Sequence, residues 1–129
     1  MSLDGLFSTP AIQSLRLTMD DAAVRQQAIA SNIANVNTPG YQRVDISSTF
    51  QRAYTDALKQ LSGGGSVDSM PEPSIETAAV QGPARPDGNT VQIEQEMVNL
   101  DQNSARYEFA AQMLANHFHG LKTAITGQS

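Results

Sequence analysis

The chain has no cysteine and no tryptophan among its 129 residues, and aromatic side chains make up 5% of it. Without thiols there is no disulfide framework and no thiolate chemistry. No apolar run approaches the roughly 18–20 residues needed to cross a bilayer. Residues 1–9 lack the basic start and apolar core of a cleavable secretion signal, which taken alone predicts a cytosolic protein. Positive charge is also scarce, with 8 Lys and Arg against 13 Asp and Glu, a net charge of −5. Nucleic-acid partners call for a basic face, and Arg16, Arg25, Arg43 and Arg52 are scattered rather than clustered. Those arginines read as solvated or ion-paired.

Candidates for chemistry are equally scarce. His117 and His119 are the only histidines, and two apart on a helix they point to different faces, so they cannot chelate one metal as an i, i+4 pair could. Asp20-Asp21 and Glu94/Glu96 could suggest an acid/base pair, but the helical pattern places them on solvated faces. Gly63-Gly64-Gly65 runs into Ser66-Val67-Asp68 with no lysine after it and no strand before it, which leaves a phosphate loop unsupported. The sequence therefore predicts no enzyme, no metal and no cofactor.

What the chain does contain is two heptad stripes. One passes through Ile12, Leu15, Met19, Ala22, Gln26, Ile29, Ile33 and Val36, and only Gln26 is polar. The other passes through Ile93, Met97, Leu100, Ser104, Tyr107, Ala111, Leu114, Phe118, Leu121 and Ile125, broken only at Ser104. Steps of three and four mark helices that pack along a narrow seam. Thr9 and Pro10 suit the start of the first helix, and Asn37, Pro39 and Gly40 predict its end near Val36. Asn89 or Thr90 is expected to cap the second, over Val91 to Thr126, with Glu94 and Glu96 at the positive end of its dipole and Gly127 as a stop. A shorter helix is predicted behind Ser47-Ser48-Thr49, with Phe50, Tyr54, Leu58 and Leu61 on one face.

Between Ser62 and Thr90 there is no aromatic residue, while five of the nine glycines and four of the six prolines fall there. Such a segment reads as a flexible or irregular linker with no core of its own. The predicted organisation is thus 1–61, an N-terminal helix, Asn-rich motif and short helix; 62–90, linker; and 91–129, C-terminal helix. The fold class is mainly α, with the long N- and C-terminal helices pairing as an antiparallel coiled coil. Two helices and a linker leave much of each stripe uncovered, which predicts that folding is completed by contact with other chains. A cytosolic helical adaptor or export chaperone that binds partner helices in its seam fits the stripes as well.

Helix-stop physics accounts for Asn37, Pro39 and Gly40 but not for Asn32 and Asn35, since asparagine is a poor helix former. The run Ala30-Ser31-Asn32-Ile33-Ala34-Asn35-Val36-Asn37-Thr38-Pro39-Gly40-Tyr41 resembles the N-terminal signature of bacterial flagellar axial proteins, which include the rod and hook subunits. Short proximal-rod subunits of that family are also similar to this chain at Arg85-Pro86-Asp87-Gly88-Asn89-Thr90-Val91, Glu96-Met97, Ala105-Arg106-Tyr107 and Leu121 to Gly127. The resemblance covers about residues 10–61 and 84–127 and omits the Gly/Pro segment. It implies a structural subunit of the basal-body rod, exported without a cleaved signal through the flagellar type III apparatus, which displaces the cytosolic expectation. Its implied partners are itself and the other rod subunits in a helical assembly, the rod adapter and the membrane-ring protein.

Overall fold

The computed structural model describes Gly5, residues 8–80 and residues 82–127. The remaining positions, including most of the stretch read for a secretion signal, lie outside the described residues. In chain order the elements are α1 (Pro10–Ala34), β1 (Val44–Ile46), α2 (Ser48–Ser62), β2 (Ile75–Thr77) and α3 (Ile93–Thr126).

Helix α1 starts as its sequence dictates. Thr9 Oγ1 accepts from the Ile12 N–H at 3.3 Å, and Pro10 occupies a first-turn position where no N–H is needed. It ends at Ala34, two residues short of the expected Val36. Asn35 becomes the cap, and its Nδ2 donates back to the Ser31 carbonyl at 2.8 Å, an interaction that competes with helix continuation.

Helix α2 is capped by Ser47, whose Oγ accepts from Phe50 N–H at 3.2 Å. Its buried face is Phe50, Tyr54, Ala57 and Leu61. The Phe50 and Tyr54 rings lie nearly parallel, their centroids 6.4 Å apart. They form a core with Ile46, against which Leu17 and Val24 of α1 pack, together with Leu58 and Met70.

The middle segment is not wholly irregular. Residues Ile75–Thr77 pair antiparallel with β1, setting Val44 opposite Thr77, Asp45 opposite Glu76 and Ile46 opposite Ile75. All three β2 residues are exposed, so no buried alternation announced them.

Helix α3 has 34 residues, about 51 Å at 1.5 Å per residue, and outruns the 25 residues of α1. Gln92 is its N-cap and makes no side-chain cap hydrogen bond, contrary to the expected capping by Asn89 or Thr90. Gly127 closes it in the left-handed conformation, with φ 67°. Its fully buried residues are Glu96, Asn103 and Ala110, spaced by seven and one position ahead of the expected Met97, Ser104 and Ala111. No helix among the described residues is long and apolar enough to cross a membrane.

Candidate assembly site

The asparagines that helix physics left unexplained tie α1 to the chain that follows it. Asn32 is buried, and its amide serves β1 as a neighbouring strand would: Nδ2 donates to the Val44 carbonyl at 2.8 Å and Oδ1 accepts the Val44 N–H at 2.9 Å. The Tyr41 hydroxyl donates to the same Oδ1 at 3.2 Å. A phenol has one proton, so the Ser31 hydroxyl is the donor in its 2.9 Å bond to Tyr41. Asn35 Oδ1 accepts from Thr38 Oγ1 at 3.1 Å. Gly40 turns the chain with φ 74°. Of the other motif residues, Ile33 and Val36 are half-buried, and Ala34, Asn37, Thr38 and Pro39 are exposed.

The Arg85–Val91 lead-in closes over this turn. Asn89 is buried, and its Nδ2 lies 2.9 Å from the Asn35 carbonyl, 3.2 Å from that of Val36 and 2.8 Å from that of Thr38. These carbonyls follow the end of the helix, and those of Asn35 and Thr38 also accept the N–H groups of Thr38 and Tyr41 in the turn. Asn89 Oδ1 accepts from Val91 N–H at 2.8 Å. Backbone bonds run alongside, from Gly40 N–H to the Asp87 carbonyl at 2.9 Å and from Thr90 N–H to the Tyr41 carbonyl at 3.0 Å. The Arg85 guanidinium also donates to the Val36 carbonyl. Two sequence motifs separated by about fifty residues are therefore one structural unit, which lays the chain entering α3 against the end of α1.

Beside this unit lies a charged junction that corrects the sequence reading. Asp21 and Glu96, expected on solvated faces, are both 0% exposed. Glu96 accepts from Arg43 Nε, and Arg43 also lies 3.3 Å from Asp45. Asp21 meets Arg106 at 3.1 Å and Arg25 at 3.6 Å, and Arg25 reaches Asp45 at 3.6 Å. The Arg106 guanidinium also donates to the Tyr54 hydroxyl at 3.2 Å, which shares a hydrogen with Thr18 Oγ1 at 2.9 Å. Arg25 and Arg43 thus converge, whereas Arg16 and Arg52 remain exposed. Three arginines balance three carboxylates, and the arginines and Asp45 line a cavity of about 230 Å³. Such an arrangement fixes the register of helices rather than performing a reaction. Among the described residues, no three His, Asp or Glu side chains are grouped to hold a metal ion.

The heptad stripes divide into covered and uncovered parts. Ile12 and Ile29 are buried, while Leu15, Met19, Ile33, Ile93, Leu100, Leu114, Phe118 and Leu121 are half-buried. Met97, Tyr107 and Ile125 are exposed, at 47%, 41% and 62%. The polar interruption at Gln26 has a partner, since Asn103 Nδ2 donates to Gln26 Oε1 at 2.9 Å and to the Ala22 carbonyl at 2.8 Å. Sequence periodicity pointed to apolar stripes and gave no sign of the buried polar residues Asp21, Glu96 and Asn103, whose partners include Arg106, Arg43 and Gln26, far from them in the chain.

Residues 12–42, which contain the Asn-rich turn, match the family described as flagella basal body rod protein. The chain is 30% identical over 122 residues to the flagellar basal body rod protein FlgB of Bacillus subtilis, covering 90% of this chain and 93% of that one. Against FlgB of Salmonella typhimurium it is 30% identical over 118 residues, with 81% and 85% covered. Against FlgB of Borrelia hermsii it is 31% identical over 123 residues, with 83% and 89% covered. Matches of this extent include the lead-in and α3 as well as the motif, and the chain belongs to the FlgB family of flagellar basal body rod proteins.

Proposed function

We propose that this protein is a structural subunit of the flagellar basal-body rod, at its proximal end, with no enzymatic activity. The observation that carries the reading is the likeness to FlgB relatives over four-fifths or more of the chain. The joined Asn-rich turn and lead-in give it a physical basis, because they lay the chain entering α3 against the end of α1. In the assembled rod, α1 and α3 run as an antiparallel coiled coil. The seam residues that one chain leaves uncovered, Met97, Tyr107 and Ile125 among them, are buried by neighbouring subunits. Residues 1–61 and 91–129 act as one helical unit, and 62–90 connects them.

The partners in this reading are further copies, the other rod subunits, the rod adapter and the membrane-ring protein, reached by export through the flagellar type III apparatus. Deleting the gene and purifying basal bodies tests it. The deletion strain should be non-motile and lack rods in electron micrographs, and the complemented strain should carry the chain in its purified basal bodies. Normal rods in the deletion strain would refute the proposal.

A further inference from the structure

The two edges of the small β-ribbon are treated differently. On β1, the outward Val44 N–H and C=O are both taken by Asn32, and the Ile46 N–H is taken by Asp45 Oδ1 at 2.7 Å. On β2 the inward groups are fixed by Ala78 N–H to the Arg43 carbonyl at 2.8 Å and Ser47 N–H to the Ser74 carbonyl at 2.7 Å. By the alternation of an antiparallel ladder, the N–H and C=O of Ile75 and Thr77 then point away from β1. Among the described residues, no hydrogen bond uses them. Ile75 is 39% exposed and Val80, just beyond the strand, 57%. An open strand edge with apolar side chains beside it is a template for another strand.

We propose that the outer edge of β2 receives an added strand from a basic, extended segment of a different protein in the basal body. This rests on the rod reading above. The charge comes from the chain itself: from Gln60 through Ala84 there are Asp68, Glu72 and Glu76 and no lysine or arginine. A second copy is disfavoured, because it would lay the acidic stretch of Asp68, Glu72 and Glu76 against an identical acidic stretch. Within the chain, the Asp45 and Glu76 carboxylates that face each other across the ribbon are engaged separately, Asp45 by Arg25 and Arg43 and Glu76 by the Ser48 N–H at 2.7 Å. A strand carrying Lys or Arg meets that acidic stretch with the opposite charge. Its neighbouring apolar side chain would lie beside Ile75, extending the cover over the Ile46 and Phe50 core.

The direct measurement is residue-resolved hydrogen exchange in purified basal bodies containing the unmodified chain. With the edge occupied, the Ile75 and Thr77 amides should exchange as slowly as the inward-facing Glu76 amide. With the edge open they should exchange at least about tenfold faster than Glu76. The latter result overturns the proposal, whereas absence of the chain from basal bodies would instead overturn the rod reading.

Thr77→Pro gives a second arm. It removes an N–H that no described residue of the chain accepts, and proline is tolerated at such edge positions. The variant should keep its helical circular dichroism and lose incorporation into rods, while Thr77→Val, which keeps the N–H, should incorporate normally. Incorporation of Thr77→Pro at the wild-type level would refute the added strand. The paired change Asp68→Lys and Glu72→Lys should also reduce incorporation, and an unchanged level would refute a basic partner. A purified chain that sediments as a dimer, and as a monomer with Thr77→Pro, would identify a second copy as the occupant and overturn the choice of partner.

Discussion

Arg43 donates through Nε to the Glu96 carboxylate, and both side chains are out of water. One belongs to the segment entering β1 and the other to the first turn of α3, so the pair welds the Asn-rich end of α1 to the second long helix. Removing Glu96 leaves the buried Arg43 with only the partly exposed Asp45, at 3.3 Å, as its counter-charge. Glu96→Ala should therefore lower the unfolding free energy by about 3–5 kcal/mol. The double change Arg43→Met and Glu96→Met should recover most of that loss, because two apolar side chains can replace a desolvated pair. Urea unfolding followed by circular dichroism measures both. A double variant as unstable as the single one would show that the charges themselves are needed.

Asn89 matters because its amide group, with two N–H donors, reaches three carbonyls of the turn that follows α1. Asn89→Ala should cost about 1–2 kcal/mol, since the carbonyls lose this donor but keep the Thr38 N–H, Arg85 and the Tyr41 N–H. Asn89→Asp should be worse, since a carboxylate cannot donate and adds negative charge facing those carbonyl oxygens. The ranking wild type, Ala, Asp is the outcome to check, and Asp as stable as wild type would contradict the clamp.

Gly40 has φ 74°, with nothing within 4 Å of where a Cβ would stand. A substitution there is opposed by backbone conformation and not by crowding. Gly40→Ala should cost about 1–2 kcal/mol, Gly40→Asn less and Gly40→Val more, as left-handed preferences require. Thermal unfolding midpoints in that order would agree. Equal midpoints would mean that the turn relaxes, in which case the Gly40 to Asp87 backbone bond should also be lost.

The helices were legible because their signals are local: Thr9-Pro10, the Ser47 cap and the three-and-four spacing all act within a turn or two. The Asn-rich run was visible as an anomaly, since its residue types fit neither a helix interior nor a simple stop. Its purpose was hidden because the partners, Val44 and Asn89, lie 12 and 54 residues from Asn32 and Asn35. Asp21 and Glu96 were misplaced for the same reason, as a carboxylate on a helix reads as solvated until an arginine from elsewhere is brought to it. Strand β2 carried no signal, since three exposed residues show neither alternation nor burial.

The stripe residues divide into two kinds of test. Ile29 is buried within the chain, so Ile29→Asp should unfold the α1 region and lower helical content in the purified protein. Tyr107 is exposed in the single chain, so Tyr107→Asp should leave that spectrum nearly unchanged and still abolish motility. Leu114→Asp, at a half-buried position, should reduce both. Gln102→Glu, away from the stripe, should be silent in both assays. A motile Tyr107→Asp strain would remove this part of α3 from the subunit contacts.

Folding and assembly should be coupled, but unevenly along the molecule. The end that holds the Asn-rich turn, the lead-in and the Phe50 core is closed by hydrogen bonds, buried ion pairs and packed rings. Beyond Ala110, no residue of α3 is fully buried by the described part of the chain. A helix without a packed face is only marginally stable in water. In the dilute monomer, protease should therefore cut before Pro10, after Gly120 and within 62–74, while 31–50 and 85–110 resist. In the rod, burial of Leu114, Leu121 and Ile125 by neighbours should extend protection along all of α3. Hydrogen exchange on the two states decides it: a monomer whose residues 111–126 are as protected as in the rod would show that α3 is complete before assembly.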